Sequence, residues 1–233
     1  MSDSDVMHSA GNRADYADHA DHSDRADRAD RADRADRADH TDRADRVYLT
    51  FDDGPDRDWT PQVLDLLAEA HMHATFFTIA QQAQLAPDLV RRILVEGHAI
   101  GNHTYSHRHP WLMSERAARA EVRDGAQALA DMLGHAPRLY RPPHGRYRPC
   151  MAQEACEQGE HIVMWNLSAV DWGMLGRAGR IERRLCRVQA HDVVLMHDGR
   201  NRHNRPDQLL EALPLFLLEL QRRGLRSHCL PGH

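Results

Sequence analysis

Residues 48–61, YLTFDDGPDRDWTP, place two adjacent aspartates directly after a short run of aromatic, aliphatic and β-branched residues. Such a run predicts a buried strand, and the Gly-Pro pair that follows predicts a turn. Asp52 and Asp53 therefore stand where a strand ends. Thr60 before Pro61 is typical of a helix start, so the stretch predicts one strand-helix unit that delivers two carboxylates to one place.

The same alternation continues along the chain. Seven segments have strand character: 47–51, 74–79, 98–102, 138–141, 161–166, 193–198 and 225–230. Further helices are predicted from Pro87 to Gly97, from Ser114 to Gly134, and over a run ending at Gly224. Alternating strands and helices favour parallel strands with helical crossovers, in an open sheet or a barrel, and seven strands favour an imperfect (β/α) barrel. Each polar cluster considered below follows a predicted strand.

The first 46 residues differ from the rest of the chain. They repeat Ala-Asp-Arg, and their 13 Asp and 8 Arg account for the whole net charge of −5. We expect residues 1–46 to be a disordered low-complexity tail and residues 47–233 to be the folded domain. The balanced charge of that domain gives no indication of a nucleic-acid partner.

Location and redox state are also predicted from the sequence. No signal-peptide pattern precedes the domain, and the apolar segment 207–221 contains Glu211, Pro214 and Glu219, so we expect a cytoplasmic protein without a membrane span. The number and spacing of the cysteines indicate reduced thiols in the core, at Cys150, Cys156, Cys186 and Cys229.

Two histidines four residues apart, His103 and His107, follow the third strand. With Asp53 from the first strand they would give two imidazoles and one carboxylate, which leaves an open position as in catalytic zinc sites. The alternative is a surface loop that happens to contain His103, His107 and His109. His71, His73, His98 and His109 are not expected to be ligands.

If Asp53 binds a metal, Asp52 should point elsewhere on an extended backbone and be free to act as a base. The alternative is that both aspartates only cap the turn or the helix at Thr60. Arg141, in the motif RPPHGRY, could hold Asp52 ionised, while backbone N–H groups near His144 and Gly145 could face an oxyanion.

A possible general acid follows the strand at 193–198. His197 ends this strand, and Asp171 in AVDWG could keep it protonated. A histidine after an apolar strand is also often structural. Trp172 and Leu195 are expected in the core or in a pocket wall.

Together, TFDDGP, HTYSH, RPPHG, DW and LMH resemble the five motifs of the polysaccharide deacetylase family, the NodB-homology domain of carbohydrate esterase family 4. The resemblance covers residues 47–225 and implies a distorted (β/α)7 barrel. It also implies roles: Asp52 as catalytic base, Asp53, His103 and His107 as metal ligands, Arg141 steadying Asp52, His197 as general acid tuned by Asp171, and Trp172 and Leu195 around the acetyl methyl group.

Two positions depart from the family pattern. His144 stands where the third motif usually has Tyr, although a backbone N–H is the feature implied there. The fourth motif often begins with an earlier Asp, and Ser168 and its neighbours supply none. Both changes bear on the substrate groove more than on the reaction.

The predicted function is a metal-dependent deacetylase that hydrolyses the N-acetyl amide of N-acetylglucosamine-type sugars or glycans. Zn²⁺ is the expected cofactor, with Co²⁺, Mn²⁺ or Ni²⁺ as alternatives. Deacylation of a small N-acylated metabolite, O-acetyl ester hydrolysis and a catalytically silent sugar-binding module remain open. An aspartyl-nucleophile phosphatase is disfavoured because its second Asp would be two residues further on.

Overall fold

Eight strands and seven α-helices alternate along residues 45–232, the part of the chain that the computed structural model describes. The strands are β1 (Arg46–Asp52), β2 (Ala74–Thr78), β3 (Ala99–Asn102), β4 (Leu139–Tyr140), β5 (His161–Ile162), β6 (Leu167–Ser168), β7 (Val193–His197) and β8 (Arg226–Ser227). The helices are α1 (Thr60–Glu69), α2 (Ala80–Leu85), α3 (Pro87–Val95), α4 (Glu115–Leu133), α5 (Pro149–Glu157), α6 (Ala178–Leu185) and α7 (Pro206–Arg222). The tail predicted at residues 1–46 lies outside the described residues except for its last two.

The strands form one parallel sheet in the order β5-β4-β3-β2-β1-β7-β6, and β8 pairs with β1. The sheet curls into a distorted (β/α)7 barrel, which confirms the predicted fold. Because β5 and β6 do not pair with each other, the barrel has an open seam between them. The polar side chains described below lie at the carboxyl end of the sheet, where functional residues usually lie in such folds.

Strand register decides which side chains meet at that end. Asp52 on β1 pairs with His197 on β7, so the two residues lie side by side on neighbouring strands. Asn102 on β3 pairs with Tyr140 on β4, which brings the next residues, His103 and Arg141, together.

The core lies between the sheet and its surrounding helices. Phe51 and Phe76 stack with ring centroids 5.2 Å apart, and both are fully buried. Removing apolar side chains of this size from water contributes about 1.5–3 kcal/mol each. The strands that deliver the polar side chains are therefore held by a continuous apolar layer.

Most of the predicted helix boundaries are confirmed. Helix α1 begins at Thr60 and α3 at Pro87, while Ser114 caps α4 by accepting a hydrogen bond from the Ala117 N–H. Gly134 ends α4 in the left-handed conformation, with φ of 76°. Helices α2, α5 and α6 were not predicted, and α2 and α6 begin without a side-chain cap that would mark them in the sequence.

The strand predicted at 161–166 is wrong in extent. Strand β5 ends at Ile162, and a separate strand, β6, begins at Leu167 on the other side of the seam. Between them the chain crosses the seam, and the carbonyls of Val163 and Met164 accept hydrogen bonds from Arg141. Val163 and Met164 are therefore apolar without belonging to either strand.

Within residues 45–232, no helix has both the length and the apolar composition needed to cross a membrane. The four cysteines are free thiols, but Cys156 and Cys186 are exposed, so the expected core position is wrong for these two.

Candidate active site

The two aspartates face one cavity of about 270 Å³ at the carboxyl end of the sheet. Strand β1 ends at Asp52, and Asp53 adopts a left-handed backbone conformation with φ of 73°. The expectation that the neighbouring carboxylates point apart is therefore wrong, because it assumed an extended backbone at both positions. The turn instead brings both carboxylates into the same cavity.

The two histidines reach this cavity from the loop after β3. Thr104 and His107 in this loop have positive φ angles of 68° and 58°. Glu121 holds the loop through its carboxylate, which accepts hydrogen bonds from the N–H and hydroxyl of Ser106. His103 Nδ1 lies 2.7 Å from the Arg141 carbonyl, so Nδ1 donates to that oxygen and Nε2 is the ring nitrogen that faces Asp53.

Three possible ligand atoms converge in the cavity. Asp53 Oδ1 lies 3.3 Å from His103 Nε2 and 3.0 Å from His107 Nε2, and all three atoms lie within 4.8 Å of one another. Asp53 Oδ1 is buried without a hydrogen bond of good geometry. A buried carboxylate oxygen left in this way beside two imidazole nitrogens fits a divalent metal ion with nitrogen and oxygen ligands.

The charge of Asp53 is consistent with this arrangement. Burial alone would raise the pKa of the Asp53 carboxyl, but interactions with His103 and His107 hold it well below its usual range. Within residues 45–232 no other His, Cys, Asp or Glu group forms such a cluster. His98, for example, accepts a hydrogen bond from the Ala74 N–H and has a structural role.

Arg141 is fully buried and lies against Asp52. Its Nη1 donates to Asp52 Oδ1 at 2.8 Å and to the Thr50 hydroxyl at 2.7 Å, and its guanidinium lies 4.0 Å from the centre of the Phe77 ring. Asp52 Oδ2 remains in the cavity, 3.8 Å from His103 Nε2. The alternative in which both aspartates only cap a turn or helix is excluded. The carboxylate of Asp52 contacts Arg141 and His103 instead, and helix α1 has no side-chain cap.

Asp171 and His197 form a second polar pair at the cavity. The carboxylate of Asp171 accepts from the backbone N–H of His197 at 2.8 Å and from Nδ1 at 2.9 Å. Burial would lower the pKa of the His197 imidazole, but attraction to Asp171, with smaller contributions from Asp53 and Asp52, raises it to about 9. His197 is therefore protonated at neutral pH.

Trp172, Leu195 and His144 line the cavity wall as well. The Trp172 and His197 rings meet edge to face at 5.4 Å. Burial, with His107 and His109 nearby, lowers the pKa of His144 to about 4. Of the two backbone donors considered for an oxyanion, the Gly145 N–H already donates to the Pro142 carbonyl, which leaves the His144 N–H as the candidate.

Four further residues line the cavity and were not predicted: Trp165, Asn201, His203 and Asn204. Trp165 lies in the segment that was assigned to a strand. The other three lie in the loop after β7, where polar residues have no regular spacing that would distinguish a site from a solvated loop. The one signal available in the sequence was the position of this loop directly after a predicted strand that ends near His197.

Comparisons with known proteins find a matching family and several relatives. Residues 39–163 match the family model described as polysaccharide deacetylase. A peptidoglycan-N-acetylglucosamine deacetylase from Bacillus cereus is 35% identical over 186 residues, which cover 80% of this chain and 67% of that protein. A chitooligosaccharide deacetylase from a Bradyrhizobium species is 35% identical over 198 residues, covering 79% of this chain and 89% of that protein.

Solved structures share the fold. A family 4 carbohydrate esterase from Streptomyces lividans in complex with acetate has a TM-score of 0.72 and 31% identity, covering 80% of this chain and 93% of that chain. A family 4 pseudoenzyme from Bacillus anthracis, 21% identical, has a TM-score of 0.70 and covers 80% of this chain and 64% of that chain. The fold alone therefore does not separate active from silent proteins.

Proposed function

Because the chain belongs to the polysaccharide deacetylase family, we propose that it is a metal-dependent deacetylase that hydrolyses the N-acetyl amide of an N-acetylglucosamine-type sugar. The observation that carries the proposal is the cavity in which three possible metal ligands meet an acid and a base. Both named relatives act on N-acetylated glycans, peptidoglycan in one case and chitooligosaccharide in the other. This chemistry needs a site that activates water and protonates an amine.

Asp53, His103 and His107 would hold the metal ion. Two imidazole nitrogens and one carboxylate oxygen suit Zn²⁺, while Co²⁺, Mn²⁺ and Ni²⁺ remain alternatives. A bound ion would polarise the acetyl carbonyl and lower the pKa of a water molecule.

Asp52 is the proposed general base. Its Oδ1 is occupied by Arg141, so Oδ2 is the oxygen left to accept a proton from the attacking water. Arg141 acts on Asp52 by fixing the orientation of its carboxylate. The side chain of Arg141 is fully buried, which prevents water from replacing this contact.

His197 is the proposed general acid. Its Nδ1 is bound to Asp171, so the proton on Nε2 is the one available for the departing amine. The raised pKa keeps that proton in place at neutral pH. Asp171 is a positioning residue here because it acts through His197.

The cavity wall would receive the acetyl group. Trp172 and Leu195 offer apolar surface for the methyl group, and the His144 N–H is the proposed donor to the oxyanion. A histidine ring at position 144 instead of the usual tyrosine changes the surface that meets the sugar, so glycan preference is expected to differ from that of the relatives.

Acetate release tests the proposal. The purified protein is incubated with N-acetylglucosamine oligomers, peptidoglycan fragments, acetylxylan and small N-acetylated metabolites, with chelator and with Zn²⁺ added back. Chelator-sensitive release from the N-acetylated sugars supports the proposal. Release only from acetylxylan or only from the metabolites would favour esterase or metabolite deacylase activity instead, and no release from any substrate would favour a silent sugar-binding protein. The cytoplasmic location stays a prediction.

A further inference from the structure

The second oxygen of Asp53 is held by two asparagines in the β7–α7 loop, residues 198–205. Asn201 Nδ2 donates to Asp53 Oδ2 at 2.7 Å, and Asn204 Nδ2 donates to the same oxygen at 2.6 Å. Oδ1, the oxygen near the two histidines, receives neither bond. The loop therefore makes the two oxygens of one carboxylate unequal.

The loop itself fixes the direction of both amides. Asn201 Oδ1 accepts hydrogen bonds from the backbone N–H groups of His203 and Asn204, so its NH₂ group must face Asp53. Asn204 Nδ2 also donates to the Gly199 carbonyl, and the Asn204 residue is only 7% exposed. Both donors are thus oriented before any ligand binds.

Close backbone packing holds this loop against the turn that carries Asp53. A Cβ atom at Gly199 would lie 2.2 Å from the Asp53 carbonyl oxygen, so only glycine permits the contact. On its other side, the loop accepts a hydrogen bond from the Gly173 N–H and donates one from the Arg205 N–H to the Asp171 carbonyl. One short loop therefore contacts the backbones that carry both Asp53 and Asp171.

We propose that Asn201 and Asn204 are positioning residues that orient Asp53 so that Oδ1 alone is presented to the metal ion. This inference rests on the metal site of the proposed function. Two neutral amide donors suit the task because they fix the carboxylate without cancelling its charge. An Arg or Lys at either position would supply the hydrogen bond but would repel the bound cation.

Metal affinity tests the inference directly. Zn²⁺ is titrated against a chromophoric chelator in the presence of wild type, Asn201→Ala, Asn204→Ala and the double variant. Loss of hydrogen bonds to a ligating carboxylate typically weakens metal affinity about 10–100-fold, and we expect a loss in this range, largest for the double variant. Arg202→Ala, in the same loop and exposed, is the matched control and should bind Zn²⁺ as wild type does.

Two further measurements separate positioning from folding. The Co²⁺ absorption spectrum should change in the asparagine variants, since the geometry of the carboxylate ligand changes, and it should stay as in wild type in Arg202→Ala. Thermal melting of the metal-free proteins identifies any variant that has lost its fold. Position 204 is buried, so the Asn204→Ala variant could fail to fold. In that case the Asn201→Ala variant, at an exposed position, decides the test. Unchanged Zn²⁺ affinity and Co²⁺ spectrum in folded asparagine variants would overturn this inference alone, whereas a wild-type protein that binds no Zn²⁺ would overturn the proposed metal site as well.

Discussion

Arg141 and Asp52 form an ion pair at the base of the cavity, with Nη1 2.8 Å from Oδ1 and both side chains almost fully removed from solvent. A buried pair of this kind is tolerated only when its remaining polar atoms are also bonded. Arg141 meets that condition through Thr50 and through the carbonyls of Val163 and Met164. The pair contributes a fixed orientation for Asp52 more than it contributes stability.

Asp52→Asn removes the proposed base while keeping the size of the side chain. Because general base catalysis typically contributes about 10²–10⁴-fold, we expect kcat to fall at least about 10²-fold with Zn²⁺ still bound. Acetate release and metal content are measured on the same sample. Asp131→Asn, at an exposed position on α4, should behave as wild type, and near-normal turnover in Asp52→Asn would show that Asp52 is not the base.

His103→Ala should lose metal and activity together, since it removes one of three proposed ligands. His135→Ala, which changes an exposed histidine outside the cavity, should keep both. Metal analysis of the dialysed proteins measures the difference. A His103→Ala protein that retains one metal ion per chain would contradict the ligand set.

The state of His197 should be visible in its titration. Its pKa is about 9 against an ordinary value of 6.5, because the attraction to Asp171 exceeds the effect of burial. NMR titration of the metal-free protein should give this raised value, and Asp171→Asn should lower it. A pKa near 6.5 in the wild-type protein would remove the support for a protonated acid.

The same shift predicts how stability depends on pH. The proton on His197 stabilises the folded chain fully below about pH 6.5, and this contribution is lost as pH rises toward 9. The free energy of unfolding of the metal-free protein, measured by urea titration, should therefore fall across that window. Asp171→Asn should flatten the fall, and an equally steep fall in the variant would assign it to another group.

Gly145→Ala tests the loop that carries His144. At this glycine φ is +63°, and an added Cβ would lie 2.6 Å from the Trp165 ring. Gly159→Ala is the matched control, since φ is +75° there and nothing lies within 4 Å. The control should cost about 1 kcal/mol for backbone strain alone, and Gly145→Ala about 1–3 kcal/mol more together with reduced activity. Equal melting temperatures for the two variants would argue against tight packing at Gly145.

The sequence predicts the strands that deliver chemistry better than it predicts the segments around them. Asp52 and His197 end clear apolar runs, and His103 follows the strand predicted at 98–102, so their placement at one end of a parallel sheet could be expected from the sequence. Strand β6 could not be predicted from the pattern, because Leu167–Ser168 is too short to show any alternation. Its partner β7 defines it, and that pairing is a tertiary contact.

In the site, too, the residues at strand ends could be predicted, whereas turn and loop conformations could not. The relation between Asp52 and Asp53 was misjudged because a positive φ at a non-glycine residue has no reliable sequence signal, and the turn is imposed by its surroundings. Asn201 and Asn204 were missed for a related reason. They acquire a role only when the loop after β7 packs against the turn after β1, and no local pattern records that contact.

The unpaired gap between β5 and β6 determines where substitutions leave the strand pairing of this protein intact. The proposed ligands, base and acid lie at the ends of strands β1, β3 and β7 or in the turns that follow them, and β2 joins these strands into continuous hydrogen-bonded pairing. Trp165 instead lies in the segment that crosses the gap, where a substitution interrupts no pair of strands. New glycan preferences, natural or selected in the laboratory, should therefore accumulate in that crossing segment while the hydrolytic residues stay fixed.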